Sequence, residues 1–407
     1  MPDRPGRGAS RYRRPRVGLI VNPIAGLGGR VGLNGSDGEG TVARAIELGA
    51  RPQASHRAAE ALRALVSAWP ASLPRPELLV APGPMGEDAA RGAGLEDTVS
   101  VEVLPDAIGD PTTADDTRHL AARLASAGVD LLLFAGGDGT ARDVHEGIGN
   151  RADTQPVLGV PAGVKIQSAV YATSPAVAGR LAADWLGSAR RRAEEREVLD
   201  LDEAAYRRGE VRPALHGYLR VPAERGVQDR KAPTPPDDSA ALGGIAEAVA
   251  EDMRRAGEGV LCVLGPGTTV RAVAERLGVP KTLIGVDVVE WHDGLTRVVA
   301  QDAGEQAILH ALDGRPARIF VTPIGGQGFL FGRGNLPISP AVIRAAACGR
   351  PPRETVIVVA APGKLSALGG RPLLVDTGDP GLDAELAGHV TVITGYRDRA
   401  VIRVAVA

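Results

Sequence analysis

Uninterrupted apolar runs alternate along this chain with helical patterns. Val17 to Pro23 (VGLIVNP), Pro76 to Gly83 (PELLVAPG), Val99 to Pro105 (VSVEVLP) and Val129 to Gly136 (VDLLLFAG) read as strands. Apolar runs without polar alternation suit parallel strands that are covered on both faces. Between them, residues 42–50, 56–68 and 112–127 carry Ala, Leu and Arg at helical spacing, and Pro111 and Thr112 open the last of these. A further strand and turn run from Pro156 to Val170. Strand alternating with helix predicts a doubly wound parallel α/β sheet, with ligands at the carboxyl ends of its strands.

The second half repeats the alternation with a change of texture. Ser174 to Arg196 reads as one helix with Pro175 in its first turn and a charged end, RRRAEEREV. Residues 198–211 and 214–222 look like antiparallel strands, and 227–239 is a proline-rich, charged exposed loop. From Ala240 a helix (242–256) leads to strand GVLCVLG, turn and helix GPGTTVRAVAERLG, and strand TLIGVDVV. Then come a helix (303–312), strand ARIFVTPIG, the glycine-rich GGQGFLFGRGN, a helix (339–347), strand TVIVVAAPGKL and the strands LLVDTG, VTVITGY and AVIRVAVA. The expected organisation is a disordered basic tail over 1–15, a nucleotide-binding α/β domain over 16–170, and a second α/β domain over 171–407. That second domain carries some antiparallel strands, with a β-rich segment at 198–225.

Composition narrows the class. At 407 residues and 44% apolar, the chain can bury a sizeable core. A net charge of -2 gives no global attraction to nucleic acid or to an anionic membrane, so neither is expected as a partner. No apolar run reaches the length of a membrane span, and the arginine-rich start lacks the apolar core of a secretory signal. Cys262 and Cys348 form no spaced framework, which points to a reducing cytoplasm, and Cys262 lies in an apolar strand as a core residue. The histidines show no metal-ligand spacing. Lysine occurs only at Lys165, Lys231, Lys281 and Lys364, which makes each lysine informative in an arginine-rich chain.

The chemistry concentrates at glycine-rich strand ends. GGDGT (136–140) ends the most apolar strand, and its glycines allow a sharp turn and close approach to a ligand. Thr140 is placed to cap the next helix, whose N-terminal amides attract phosphate. Asp138 stands where phosphoryl transfer wants a base or a metal ligand. Asp143 has two open readings, a capping box with Thr140 or a part in the site. Lys165 and Ser168 follow the next strand; Lys165 is either a phosphate-neutralising cation or a solvated surface lysine. The loop 22–40 has seven glycines from Gly26 to Gly40, and it either wraps an anion with backbone amides or serves as a loop without a ligand. It is neither a Walker A loop nor a dinucleotide fingerprint. In the second half, Gly267, Thr268 and Thr269 form another glycine turn with hydroxyls ahead of a helix, a second phosphate-binding geometry.

Four stretches together resemble a known family: IVNPIAGLGG (20–29), FAGGDGTARDV (134–144), VLGVPAGVKIQSAV (157–170) and VTPIGGQGFLFGRGN (321–335). The chain is similar to the ATP-NAD kinase family, in particular its longer proteins of uncertain substrate, within the superfamily that includes diacylglycerol kinases. The combination of GGDGT with an upstream NP-x-AG-x-GG loop is specific and covers roughly residues 16–175. The resemblance implies that Asp138 serves as proton acceptor for the attacking hydroxyl or helps to organise Mg²⁺. It implies that Gly136, Gly137, Gly139 and Thr140 cradle nucleotide phosphates, and that Asn22, Pro23 and Gly26 belong to the first phosphate-side loop. Asp143 falls where the lipid-kinase branch has a glutamate. Two departures bear on the acceptor more than on kinase chemistry: the Asn-Glu pair that grips NAD has no clear counterpart, and GPGTT (265–269) only loosely replaces the Thr-Gly-Ser-Thr-Ala-Tyr segment.

The leading expectation is therefore an ATP- and Mg²⁺-dependent small-molecule kinase, with the 2′-hydroxyl of NAD as the first acceptor considered. The alternatives are an enzyme acting on a phosphorylated sugar through the GPGTT loop, and a nucleotide-binding regulator without turnover. Such parallel-sheet kinases often form symmetric homo-oligomers, but no stretch of this sequence marks an interface.

Overall fold

The computed structural model describes residues 13–33, 40–163, 166–201, 213–224, 226–228, 238–256, 259–282, 284–292 and 295–407. The expected 1–15 tail and 227–239 loop lie mostly outside them, as does Lys165.

Five strands form the first sheet: β1 (Arg16–Val21), β2 (Glu77–Val80), β3 (Ser100–Val103), β4 (Leu131–Gly136) and β5 (Val157–Pro161), in the order β3-β2-β1-β4-β5. Every pairing is parallel. All six residues of β4 are buried, as expected of a central strand covered on both faces. The helices of this half include α1 (Thr41–Glu47), α2 (Ala54–Ala68), α3 (Glu87–Ala93), α4 (Ala114–Ser126), α5 (Asp138–Ile148) and α6 (Pro175–Gly187). Leu62 and Leu65 of α2, Leu120 and Leu124 of α4 and Val144 of α5 join β1 and β4 in one continuous core.

The helix expected from Ser174 to Arg196 stops at Gly187, and its charged end becomes strand β6 (Ala193–Leu201). Strand β6 pairs antiparallel with β7 (Pro213–Pro222) as a separate two-stranded ribbon. Burial and pairing explain the difference: Val198 turns into the first core with Leu219 and Val221 of β7, while Glu194 and Glu195 are exposed and Arg196 and Glu197 half-buried. The helix formers in RRRAEERE are overridden by that pairing.

The second sheet is mixed and nine-stranded. It contains β8 (Val260–Leu264), β9 (Asp287–His292), β10 (Leu295–Ala300), β11 (Ala317–Val321), β12 (Phe329–Phe331), β13 (Val356–Val359), β14 (Leu373–Val375), β15 (Gly388–Ile393) and β16 (Arg399–Val406). Strands β8, β11, β13 and β15 run parallel side by side, while β9 and β10 extend one edge antiparallel and β15 pairs antiparallel with β16. The covering helices include α7 (Ser239–Ala256), α8 (Thr268–Arg276), α9 (Glu305–Leu312), α10 (Pro340–Ala347), α11 (Pro352–Thr355), α12 (Pro362–Ser366) and α13 (Pro380–Leu386). The fold is thus the expected α/β class, a parallel N-terminal sheet with a second α/β unit containing antiparallel strands. The strand expected at TLIGVDVV begins only at Asp287. The residues ahead of it wrap a buried ion pair, Lys281 Nζ to Asp287 at 2.8 Å, whose ammonium also donates to the carbonyls of Thr282 and Gly285.

Candidate functional site

The GGDGT turn sits at the carboxyl end of β4. Helix α5 begins at Asp138 with Gly137 at its N-cap, so Thr140 lies inside the first turn and not at the cap. The Thr140 hydroxyl accepts instead from Asn22 Nδ2 at 3.0 Å, tying the loop after β1 to the loop after β4. Asn22 Oδ1 in turn accepts from Ile24 N at 3.2 Å, which shapes the first loop as an Asx turn.

Asp138 is buried, at 6% exposure. One carboxylate oxygen accepts from Gln167 N at 2.7 Å and the other from Ser168 N at 3.0 Å. Burial pushes its carboxyl up to about 7 and nearby Asp200 adds to the rise, while the bonds from Ser168 and Gln167 oppose it. A carboxylate that titrates near neutrality while its orientation is fixed suits a general base. Ser168 is fully buried and its hydroxyl is engaged with the backbone of Leu199, so it supports Asp138.

Three backbone segments meet at contact distance around this turn. Gly26 has φ 74°, and a Cβ there would stand 2.1 Å from the Ala162 carbonyl oxygen. A Cβ on Gly163 would stand 2.6 Å from Gly137 Cα. Only glycine permits this approach, so the glycines of the NPIAG, GGDGT and PAG stretches act as packing surfaces as well as turns. Tyr171 completes the floor: its hydroxyl donates to the Gly137 carbonyl, and its ring packs edge-on against Phe134 at 5.2 Å. Burial raises the Tyr171 phenol well above its ordinary value, so it remains a proton-bearing strut.

Two ion pairs flank Asp138. Arg142 binds Asp200 at 2.7 Å, and Arg118 binds Asp143 at 3.0 Å. Asp143 therefore makes no capping box with Thr140; its carboxylate faces the arginines of α4 and α5. Burial raises Asp143 to about 6, against the pull of Arg142 and Arg118. Asp200, Gln167 and Tyr171 were not legible as site residues: Asp200 comes from the distant strand β6, and Gln167 acts through its backbone N–H, which residue identity does not mark.

The second sheet closes on this region. Gln327 Nε2 donates to the Ile166 carbonyl at 3.0 Å, one residue from the Asp138 clamp. Arg57 of α2 and Arg333 converge on buried Asp376 with hydrogen bonds of 2.9 Å each, and Arg57 makes a second bond to the same carboxylate. Arg333 also donates to the Thr173 carbonyl at 3.0 Å. Gly32 and Gly304 touch, and Glu305 N donates to the Arg30 carbonyl at 2.8 Å. The glycine loop after β1 is therefore held between both sheets.

The structure brings together Asn22, Pro23, Gly26, Gly136, Gly137, Asp138, Gly139, Thr140 and Ser168 at the carboxyl ends of β1, β4 and β5. Gly267, Thr268 and Thr269 stand at the carboxyl end of β8 in the second sheet. Among the described residues, no group of three or more His, Cys, Asp or Glu side chains is arranged to hold a metal. Both oxygens of Asp138 already accept backbone hydrogen bonds, which suits a fixed base more than a metal ligand. No helix among the described residues is long and apolar enough to cross a membrane.

Comparison with known proteins agrees with this geometry. The description "ATP-NAD kinase N-terminal domain" matches residues 17–186, and "ATP-NAD kinase C-terminal domain" matches residues 258–404. No curated protein and no solved structure gives a match.

Proposed function

The chain belongs to the ATP-NAD kinase family, and from that premise we propose that it transfers the γ-phosphoryl of ATP to the 2′-hydroxyl of NAD with Mg²⁺, in the cytoplasm. Phosphotransferase chemistry of NAD kinase type follows from membership; the acceptor, the metal and the residue roles are our reading. The observation that carries it is the buried Asp138 carboxylate, poised near neutrality beside the first turn of α5. In this reading Asp138 accepts the proton of the attacking hydroxyl. The backbone N–H groups of the GGDGT turn, together with the loop from Asn22 to Gly26, surround the phosphates, and the positive end of α5 favours their charge. Lys165 supplies further neutralisation. Asp143 and Ser168 act at one remove, Asp143 by holding Arg118 and Arg142 in place and Ser168 by fixing Asp138.

Magnesium, carried by the triphosphate, would supply charge neutralisation at the transferring group and be held chiefly by the phosphates. Catalysis of this kind is mainly positioning and electrostatics, which a preorganised turn provides at little reorganisation cost. Thermal stability with ATP, NAD, NADP and ribose 5-phosphate, each added with Mg²⁺, tests the reading. A ligand at about 100 times its dissociation constant adds roughly 2.7 kcal/mol. The reading predicts shifts with ATP and with NAD or NADP; a shift with ATP alone would remove NAD as the acceptor.

A further inference from the structure

We propose that the carboxyl ends of β8, β11 and β13 form a second ligand site, distinct from the Asp138 turn, for a phosphomonoester carried on a hydroxylated sugar. Strand β8 ends in Gly265, Pro266 and Gly267, and α8 starts at Thr268. Gly267 has φ 113°, and a Cβ there would stand 3.0 Å from the Thr322 methyl, so the turn is pressed against the end of β11. From the end of β13, Lys364 of α12 reaches the same place. It is 8% exposed, and its ammonium donates to the hydroxyls of Thr269 at 3.3 Å and Thr322 at 3.1 Å. A buried ammonium, two hydroxyls and the amide end of a nine-residue helix thus converge from three parallel strands. That is the chemistry of a dianion site.

A second observation points to a ligand with another end. Asp238, just before α7, is 8% exposed and accepts from Gly363 N at 3.3 Å with Oδ1. Its Oδ2 is buried with no hydrogen-bond partner. A buried carboxylate oxygen without a donor is costly, and a ligand hydroxyl would satisfy it. Phosphate itself would be repelled there. One buried ammonium with two hydroxyls, and a donor-hungry carboxylate held by Gly363, the residue before Lys364, therefore suit a molecule with phosphate at one end and hydroxyls at the other. Ribose 5-phosphate and the ribose phosphate of a mononucleotide share that chemistry. The site does not depend on the kinase reading, since none of its residues belongs to the Asp138 turn.

The test is calorimetric titration of the full chain with ribose 5-phosphate, AMP, inorganic phosphate and ribose, for wild type, Lys364→Met, Asp238→Asn and Gly26→Ala. The site predicts saturable binding of ribose 5-phosphate, of AMP, or of both, weakened tenfold or more in Lys364→Met. Asp238→Asn should weaken the sugar phosphate at least fivefold and leave inorganic phosphate within twofold. Gly26→Ala, which removes nucleotide binding at the Asp138 turn, should leave every affinity within twofold. Preference for ribose 5-phosphate or for AMP identifies the source of the phosphate. Because Lys364 is buried, circular dichroism checks the fold of that variant, and Asp238→Asn decides alone if it fails. Absence of saturable binding to wild type, unchanged affinity in Asp238→Asn, or an equal loss in Gly26→Ala would overturn the proposal.

Discussion

Asp138 Oδ2 accepts a hydrogen bond from the backbone N–H of Gln167 at 2.7 Å, so a carboxylate on one strand-end turn is clamped by the loop that follows the neighbouring strand. The site is therefore shared between the carboxyl ends of β4 and β5. Because the partner is a backbone group, substituting Gln167 leaves the clamp in place, while displacing the loop releases it.

The first prediction concerns pH. Asp138 is raised to about 7, from an ordinary value near 4, chiefly by burial. If it is the base, kcat/KM should rise with pH through an acid limb near 7 and level off above it, and the pH–rate profile measures this. In linkage terms the folded state binds the extra proton between about pH 4 and 7, so this group's contribution to stability falls as pH rises through that window. Urea unfolding at pH 5.5 and 8 should show wild type losing stability relative to Asp138→Asn over that interval.

The tie between the two phosphate-side loops is one neutral hydrogen bond, from Asn22 Nδ2 to the Thr140 hydroxyl. Thr140→Val keeps the shape and removes the acceptor, which should lower stability by about 1 kcal/mol. The KM for ATP should rise more than kcat falls, and steady-state kinetics separate the two.

Gly26 is required by contact as much as by conformation. Gly26→Ala would drive a methyl into the Ala162 carbonyl at positive φ, and the loop must move away from the GGDGT turn. A lower Tm with loss of ATP-induced stabilisation is expected, since the amides no longer converge.

Asp376 holds two buried guanidinium groups, from Arg57 and Arg333. Burial acts against its charge, yet the two arginines keep its carboxyl below the ordinary range. Asp376→Asn leaves buried Arg333 without its carboxylate, while Arg57 keeps Glu60 at 3.8 Å, and should cost on the order of 3–5 kcal/mol, read as a lower urea midpoint.

Much of this was legible in the chain. The apolar run into GGDGT announced a central buried strand, and strand–helix alternation announced a parallel sheet with loops at its carboxyl ends. What stayed hidden depends on pairing at a distance. The charged stretch at 193–201 carries helix formers, and only its partner β7 makes it a strand. Asp143 stood at capping-box spacing from Thr140, but Arg118, 25 residues away, claims its carboxylate. The clamp from Gln167 and Ser168 gave no signal either, because backbone donors leave no mark on residue identity.

The central claim is phosphoryl transfer to a hydroxyl with Asp138 as base, and NAD-dependent ADP release from Mg²⁺-ATP tests it most directly. The account predicts turnover in wild type, accompanied by NADP formation. It predicts a loss of roughly 10²–10⁴-fold in Asp138→Asn, with ATP-induced thermal stabilisation retained. Turnover in Asp138→Asn equal to wild type, or no NAD-dependent ADP release from a wild-type protein that binds ATP, would contradict it.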